Sequence, residues 1–342
     1  MLRRIRIDWS EQIRCSPLET PFPPIERTLT EYTKIDLESF ADFLDVIGLV
    51  GMGGSGFKTS EKIRSCAGAH TLVINGVECE PGITIDQSVL LHESNYVRSG
   101  TEASAKAIGA RKIIIATKDR GGQIATLKKL YPAYDIIPFP DRYPAGAEKL
   151  ILKKLTGKMP PPRIRPYQLG YLMQNAVSLR AIGRALIDGV PVAERPLTLA
   201  MPTTGFYKNT IVPIGLPIRQ ILEIFSLPYN PEVHLISTSG IMMGREATPD
   251  DLIEKTTLSI LILSRGDTIR EERPCIRCGA CNSACPLSLH PFTLTERIRQ
   301  DKTTAVAFKM QMSECFLCGV CSAVCPSDIP LVQRLKKGKK CL

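Results

Sequence analysis

The chain carries one cysteine pattern twice. Cys275-Ile-Arg-Cys278-Gly-Ala-Cys281-Asn-Ser-Ala-Cys285-Pro286 recurs as Cys315-Phe-Leu-Cys318-Gly-Val-Cys321-Ser-Ala-Val-Cys325-Pro326, so eight of the twelve cysteines follow the spacing C-x2-C-x2-C-x3-C-P. This is the ligand spacing of a two-cluster bacterial ferredoxin: three close thiolates take three corners of one iron–sulfur cube, and the fourth cysteine reaches the other cube. The spacing assigns Cys275, Cys278, Cys281 and Cys325 to one [4Fe-4S] cluster, and Cys315, Cys318, Cys321 and Cys285 to a second. Zinc favours two separated C-x2-C pairs over a run of four closed by proline. Disulfide frameworks belong to short secreted chains, whereas this one has 342 residues and opens on the basic Met-Leu-Arg-Arg-Ile-Arg with no apolar leader. Thiolates in ligand spacing without an export signal point to a reducing cytoplasm.

The length predicts two or three domains, and 44% hydrophobic with 23% charged residues is ordinary for a globular chain. No stretch approaches the ~18 to 20 apolar residues of a membrane span. The densest apolar run, Leu258–Leu263, reads as a core strand. The net charge of +10 is not matched by any nucleic-acid motif, and only 6% of residues are aromatic. It suits an acidic redox partner such as a small ferredoxin or flavodoxin. Basic residues from Arg334 to Lys340 are expected to form a mobile end.

Residues 1–35 are broken by prolines and read as irregular. From 36 to 191, helix-like and strand-like segments alternate. Asp36 caps a helix through Ile47; strands are expected at 72–74, 112–117 and 135–139, and helices at 87–108, 122–130, 145–155 and 168–187. Alternation of this kind predicts an α/β domain with a largely parallel sheet. Residues 192–249 read as a small α+β module, with strands at 197–201 and 234–238 flanking a helix over 216–225. The cluster domain is expected over 250–335, with a helical insert within 287–314, and a basic tail over 336–342.

Gly51-Met-Gly53-Gly54-Ser-Gly56-Phe57-Lys58-Thr satisfies the dinucleotide fingerprint G-x-G-x-x-G, with an acid at a strand end some way on. Alone that is a weak signal. The motifs that follow it are Asn75-Gly-Val-Glu78-Cys-Glu80-Pro, Tyr143-Pro-Ala-Gly146-Ala-Glu148-Lys, Gln174-Asn175 and Ser239-Gly-Ile-Met-Met-Gly244. Together, from about residue 30 to residue 335, the chain resembles the C subunit of the Rnf electron-transport complex. It is also similar to the cobalamin reductase of propanediol microcompartments and, more distantly, to the flavin subunit of respiratory complex I.

The resemblance implies an α/β FMN-binding domain, a small β-grasp-like ligand-binding module and a two-[4Fe-4S] ferredoxin-like helical domain. Carried over by position, Gly51, Gly53, Gly54, Gly56 and Lys62 would face flavin or nucleotide phosphate. Asn75, Glu78, Tyr143, Gly146, Glu148, Gln174 and Asn175 would line FMN, and Phe57 and Glu80 would meet the adenine of NADH; the catalytic carboxylates would be Glu148 and Glu80. The implied activity is hydride transfer from NADH to FMN, with the clusters passing single electrons to a partner protein or membrane-docked complex. A relay linked to ferredoxin, or a reductase of a corrinoid or quinone-type acceptor, is the alternative. The chain departs from the family at Lys58, where proline is common. It also starts roughly where an additional N-terminal domain of the family would end, so that domain is expected to be lacking.

Overall fold

The computed structural model describes residues 16–17, 36–161, 163–268, 271–303 and 305–340. The irregular segment expected over 1–35 lies outside them, apart from a two-residue strand, β1 (Ser16–Pro17). The described parts of Ile7–Met159 and Arg165–Leu263 form one compact unit, and those of Pro160–Ile164 and Ser264–Leu342 a second.

In the larger unit, α1 (Leu37–Val46) is capped by Asp36, whose Oδ1 accepts the Ser39 N–H at 2.8 Å. The glycine loop and α2 (Thr59–Arg64) follow. Next come β2 (Thr71–Gly76), α3 (Ile85–His92), α4 (Ser94–Ile108), β3 (Lys112–Lys118), α5 (Gln123–Leu130), β4 (Asp135–Phe139), α6 (Glu148–Thr156), β5 (Tyr171–Asn175) and α7 (Ala176–Asp188). β2 to β5 pair in parallel in the order β4-β3-β2-β5. Leu72, Ile74, Ile115 and Leu172 enter a core shared with the helices on one face. Val73, Ile114, Ala116 and Met173 enter a second core with Ile151 and Leu152 of α6 on the other. Strands covered on both faces read as continuous apolar runs rather than alternating ones.

Two expected helices are corrected. Residues 87–108 form two, because Glu93 leaves helical geometry (φ −124°, ψ 34°) and its carboxylate accepts from Arg180 Nε at 2.7 Å. Residues 168–187 contain β5 as well as α7. Leu172 and Met173 face opposite cores, so Tyr171-Leu-Met-Gln-Asn lacks strand alternation and cannot be told by period from a buried helix. With β5 beside β2, the strand order reverses between them. The crevice outside the carboxyl ends of two such strands is where open α/β sheets hold ligands.

β6 (Glu194–Met201), β7 (Phe206–Pro213), α8 (Ile218–Ile224), β8 (His234–Thr238), β9 (Arg245–Ala247) and β10 (Ser259–Ser264) build a sheet ordered β1-β7-β6-β10-β8-β9. The boundary expected at 249 is too early. β10 is an interior strand of this sheet, parallel to β6, with Ile260 and Ile262 in the core under α8 and Leu261 and Leu263 on the opposite face.

The smaller unit holds α9 (Arg265–Thr268), α10 (Ala280–Ser283), α11 (Pro291–Arg299), α12 (Val306–Glu314), α13 (Val320–Ala323) and α14 (Leu331–Lys339). The repeated sequence folds the same way twice. Arg277 and Leu317, Gly279 and Gly319, and Ser288 and Asp328 are matched pairs, all at φ between 53° and 80°. The insert supplies α12, whose Phe308 and Met312 share a core with Leu294, Leu331 and Leu335. The mobile basic end is corrected as well: α14 runs to Lys339, and a Cβ on Gly338 would lie 2.3 Å from Ile298 Cδ1.

α4 and α7 cross glycine to backbone. A Cβ on Gly183 would lie 1.8 Å from the Tyr96 carbonyl oxygen, and one on Gly100 2.0 Å from that of Leu179. Gly183→Ala should therefore destabilise the larger unit by on the order of 3 kcal/mol, the upper range for overpacking. Urea unfolding measures this, and an unchanged midpoint would contradict the contact.

Candidate functional site

The glycine loop is a closed turn. The Gly51 N–H donates to Phe57 O at 2.8 Å and the Gly56 N–H to Gly51 O at 3.1 Å, while Val50 bridges Lys58. Only that isolated bridge precedes it, so the strand-to-helix context of a dinucleotide fingerprint is absent. Met52 anchors the turn: its side chain is fully buried and its N–H donates to Ser178 Oγ of α7 at 3.0 Å. Gly53 lies against Asn175, where a Cβ would come within 3.0 Å of the side chain. Gly54 (φ 95°) and Gly56 (φ 63°) are exposed, and Phe57 is 52% exposed. Lys62 pairs with Glu148 at 2.9 Å and Lys58 with Asp45 at 3.0 Å.

Several expected residues meet where the strand order reverses. Asn75 Nδ2 donates to Gly146 O at 3.0 Å, and Asn175 Nδ2 reaches Asn75 O at 3.4 Å. Gly146, three residues past half-buried Tyr143, packs so that a Cβ would lie 3.2 Å from Cys79 Sγ. Gln174, at the end of β5, is 4% exposed, and neither atom of its amide has a hydrogen-bond partner. An unmet buried polar group costs about 1–3 kcal/mol, so an amide with both ends unmet marks a place for a polar ligand.

Glu78 sits at φ 24°, and its Oε2 accepts the Asp86 N–H at 2.7 Å. Both carboxylate oxygens of buried Asp86 accept from Asn175 Nδ2 at 2.8 Å. Burial raises both carboxyls well above the usual carboxylate range, and the Asp86 charge adds to the effect at Glu78. Fully buried Arg195 of β6 faces them; burial lowers its guanidinium to about 9, against the pull of Asp86 and Glu78. At the ends of β3 and β4, buried Lys118 pairs with Asp141, which Arg120 also binds twice at 2.9 Å. Burial opposes ionisation there, but the bonds from Arg120 and Lys118 hold Asp141 down to about 2. Sequence reasoning missed Asp86, Arg195, Lys118, Arg120 and Asp141. The one signal was a lone charge bordering an apolar run, as with Lys118 after Ile113–Ala116.

Glu80 departs from its expected place at an open nucleotide site. It is 8% exposed, and its Oε1 accepts the N–H groups of Met242 and, at 3.3 Å, Met243. Gly240 leaves the space: a Cβ there would lie 2.1 Å from Glu80 Cγ. Burial lifts the Glu80 carboxyl to about 7 despite those N–H donors.

In the smaller unit, Cys275, Cys278, Cys281 and Cys325 line one cavity, with Phe292 and Leu331 among its walls. Cys285, Cys315, Cys318 and Cys321 line another, closed by Leu289, Leu294, Leu317 and Leu335. Backbone N–H groups already point at sulfur: Arg277 N lies 3.4 Å from Cys275 Sγ, and Leu289 N 3.4 Å from Cys285 Sγ. Among the described residues no three His, Cys, Asp or Glu side chains converge on a single metal ion. A cube, with irons at separate corners, asks instead for four thiols spread around a cavity.

Comparison with known proteins agrees with this geometry. The Nuo51 FMN-binding domain family matches residues 44–184, and the 4Fe-4S dicluster domain family matches residues 274–329. The C subunit of the ion-translocating oxidoreductase complex of Edwardsiella ictaluri is 34% identical over 322 residues, covering 91% of this chain and 40% of the relative. Its counterpart in Buchnera aphidicola subsp. Acyrthosiphon pisum is 32% identical over 322 residues, covering 92% and 68%. That of Rhodobacter capsulatus is 33% identical over 313 residues, covering 88% and 60%. This chain belongs to the family of C subunits of ion-translocating oxidoreductase complexes. It spans 40% of the length of the Edwardsiella ictaluri relative, and 34% and 41% of the corresponding subunits of Erwinia tasmaniensis and Cronobacter sakazakii. An NAD+-reducing [NiFe]-hydrogenase in the H2-reduced state shares the fold with a TM-score of 0.59 at 16% identity, over 89% of this chain and 60% of that one. Its air-oxidized state gives 0.55 at 19% identity, over 83% and 52%.

The residues present fit the groups these families carry. The unpartnered Gln174 amide offers a donor and an acceptor to the edge of a flavin ring, and four thiols per cavity fit a [4Fe-4S] cube. Among the described residues no helix is long and apolar enough to cross a membrane.

Two outcomes follow. Glu80 titrates near 7 when folded and near ~4.3 unfolded, so its contribution to stability is complete below ~4.3 and lost as pH rises through 7. Glu80→Gln should remove that loss, and its thermal midpoint should gain on the parent between about pH 5 and pH 8; parallel profiles would contradict the burial argument. Cys325→Ala, reconstituted anaerobically, should hold about four irons instead of about eight, and Cys285→Ala likewise through the other cavity. A full iron complement in either variant would contradict that cysteine as a cluster ligand.

Proposed function

We propose that this chain transfers electrons from NADH to a partner protein, with FMN in the crevice at the ends of β2, β3 and β5 and a [4Fe-4S] cluster in each thiol-lined cavity. The observation that carries the reading is Gln174, a buried amide with neither end satisfied, at the point where the strand order reverses. Asn75, Gln174 and the backbone around Gly146 would hold the ring, and the loop from Gly51 to Gly56 with Lys62 the phosphate end. When bound, FMN takes two electrons together and gives them up singly, which joins hydride chemistry to one-electron clusters. Buried Asp86 holds the half-buried Asn175 amide at the end of β5. Burial and the neighbouring Asp86 push the Glu78 carboxyl above the usual carboxylate range there.

Phe57, exposed on the loop, is the aromatic surface left for adenine; Glu80 is already bound to the Met242–Met243 backbone and takes no part. The relatives' name, a subunit of an ion-translocating oxidoreductase complex, supports other components of such a complex as partners, and the +10 charge suits an acidic one; this reading includes peripheral docking at the cytoplasmic side of a membrane. The engagement of Glu80 favours one second reading, a relay that exchanges electrons with ferredoxin, or with a corrinoid or quinone-type acceptor, and does not use NADH.

One anaerobic experiment separates the two. With FMN and clusters reconstituted, NADH should bleach the flavin and cluster absorbance within the mixing time of a stopped-flow instrument. Bleaching by reduced ferredoxin but not by NADH would replace the first reading with the second.

A further inference from the structure

We infer that Arg195, a residue of the α+β module, is a positioning residue for the flavin crevice. It starts a line of contacts that holds the glycine loop against the end of β5. The inference rests on the flavin reading above and names what shapes that site.

Arg195 is completely buried and makes three bonds to backbone oxygens: Nε to Pro196 O at 3.1 Å, Nη1 to Lys255 O, and Nη2 to Met52 O at 3.4 Å. The last is decisive for the loop. Met52 is held at its N–H by Ser178 and at its carbonyl by Arg195, so the peptides on either side of it are fixed from two elements. The next residue, Gly53, lies on the Asn175 side chain, and Asn175 Nδ2 is held by Asp86. The Arg195 charge acts in turn on Asp86. The contacts therefore run Arg195, Met52, Gly53, Asn175 and Asp86. The first member of this line comes from outside the α/β domain, and Asn175 and Gly53 meet at the carboxyl end of β5, where the flavin is proposed to sit. Lys255 Nζ, which donates to Gly48 O at 2.6 Å, ties the same segment of the module to the stem of the loop. In this chain the module acts as a brace for the flavin domain.

A plain counter-ion role for Arg195 makes a different prediction, and full-length variants tell the two apart. FMN affinity is read by quenching of flavin fluorescence and by the shape of the visible absorption band, and folding by urea unfolding of the same samples. Arg195→Met should weaken FMN binding on the order of 10- to 100-fold, the usual cost of removing a group that orients a binding residue. It should also lower stability, because Asp86 and Glu78 lose their counter-charge. Arg195→Met with Asp86→Asn removes the stranded charge, so stability should return while affinity stays weak. Arg195→Lys, which keeps the charge but replaces three nitrogens bonded to separate oxygens with one, should bind between the two. Wild-type affinity in the double variant, or in Arg195→Met itself, would overturn the positioning role. Failure of the unsubstituted chain to bind FMN would overturn the flavin reading instead.

Discussion

Asn175 has one side-chain amide and uses it to hold four parts of the larger unit together. Its Oδ1 caps α7 through the Val177 N–H, its Nδ2 holds the buried Asp86 carboxylate and reaches Asn75 O, and its carbon atoms support Gly53. Each of those contacts lies at the carboxyl end of β2 or β5, where the sheet reverses its order. A helix cap, a strand end, a glycine turn and a buried acid are thereby set in one geometry.

That arrangement places uncomfortable charge in the interior. Glu78 and Asp86 face a single buried guanidinium, Arg195, and the three cannot all be charged without an imbalance in a poorly solvated place. The chain meets this partly by raising the carboxyls and partly by setting Lys118 and Arg120 at the end of β3, where their charge also acts on Glu78. Buried charge pairs are weak contributors to net stability, while satisfied polar networks rigidify the structure around them. The module takes part in it twice, through Arg195 and through the N–H groups that hold Glu80. The two sheets accordingly form one compact unit rather than two.

The cysteine runs were legible because ligand spacing is local, and the backbone repeats with them: matched residues take matched left-handed conformations. The α/β class was legible from alternation, and Asp36 from its capping position. β5 was not, since a strand buried on both faces has no period of its own, and without β5 the point of reversal cannot be located. β10 was recognised as a strand but assigned to the wrong neighbour, because sequence order does not say that it returns to pair with β6. The partners of Asn75 and Asn175 were equally hidden. Asp86, Arg195 and Lys118 come from three separated segments, and only the folded chain brings their charges to one place. Glu80 shows the opposite case. It stands in a motif with the right residue types, but Gly240 lets the 239–244 loop close over it.

The most direct test is an experimental structure of the chain crystallised with FMN. The flavin ring should lie at the carboxyl ends of β2 and β5, with both atoms of the Gln174 amide newly hydrogen-bonded to it and Gly53 still seated on Asn175. A flavin bound elsewhere on the chain, or one that leaves the Gln174 amide unpartnered, would contradict the crevice as the flavin site.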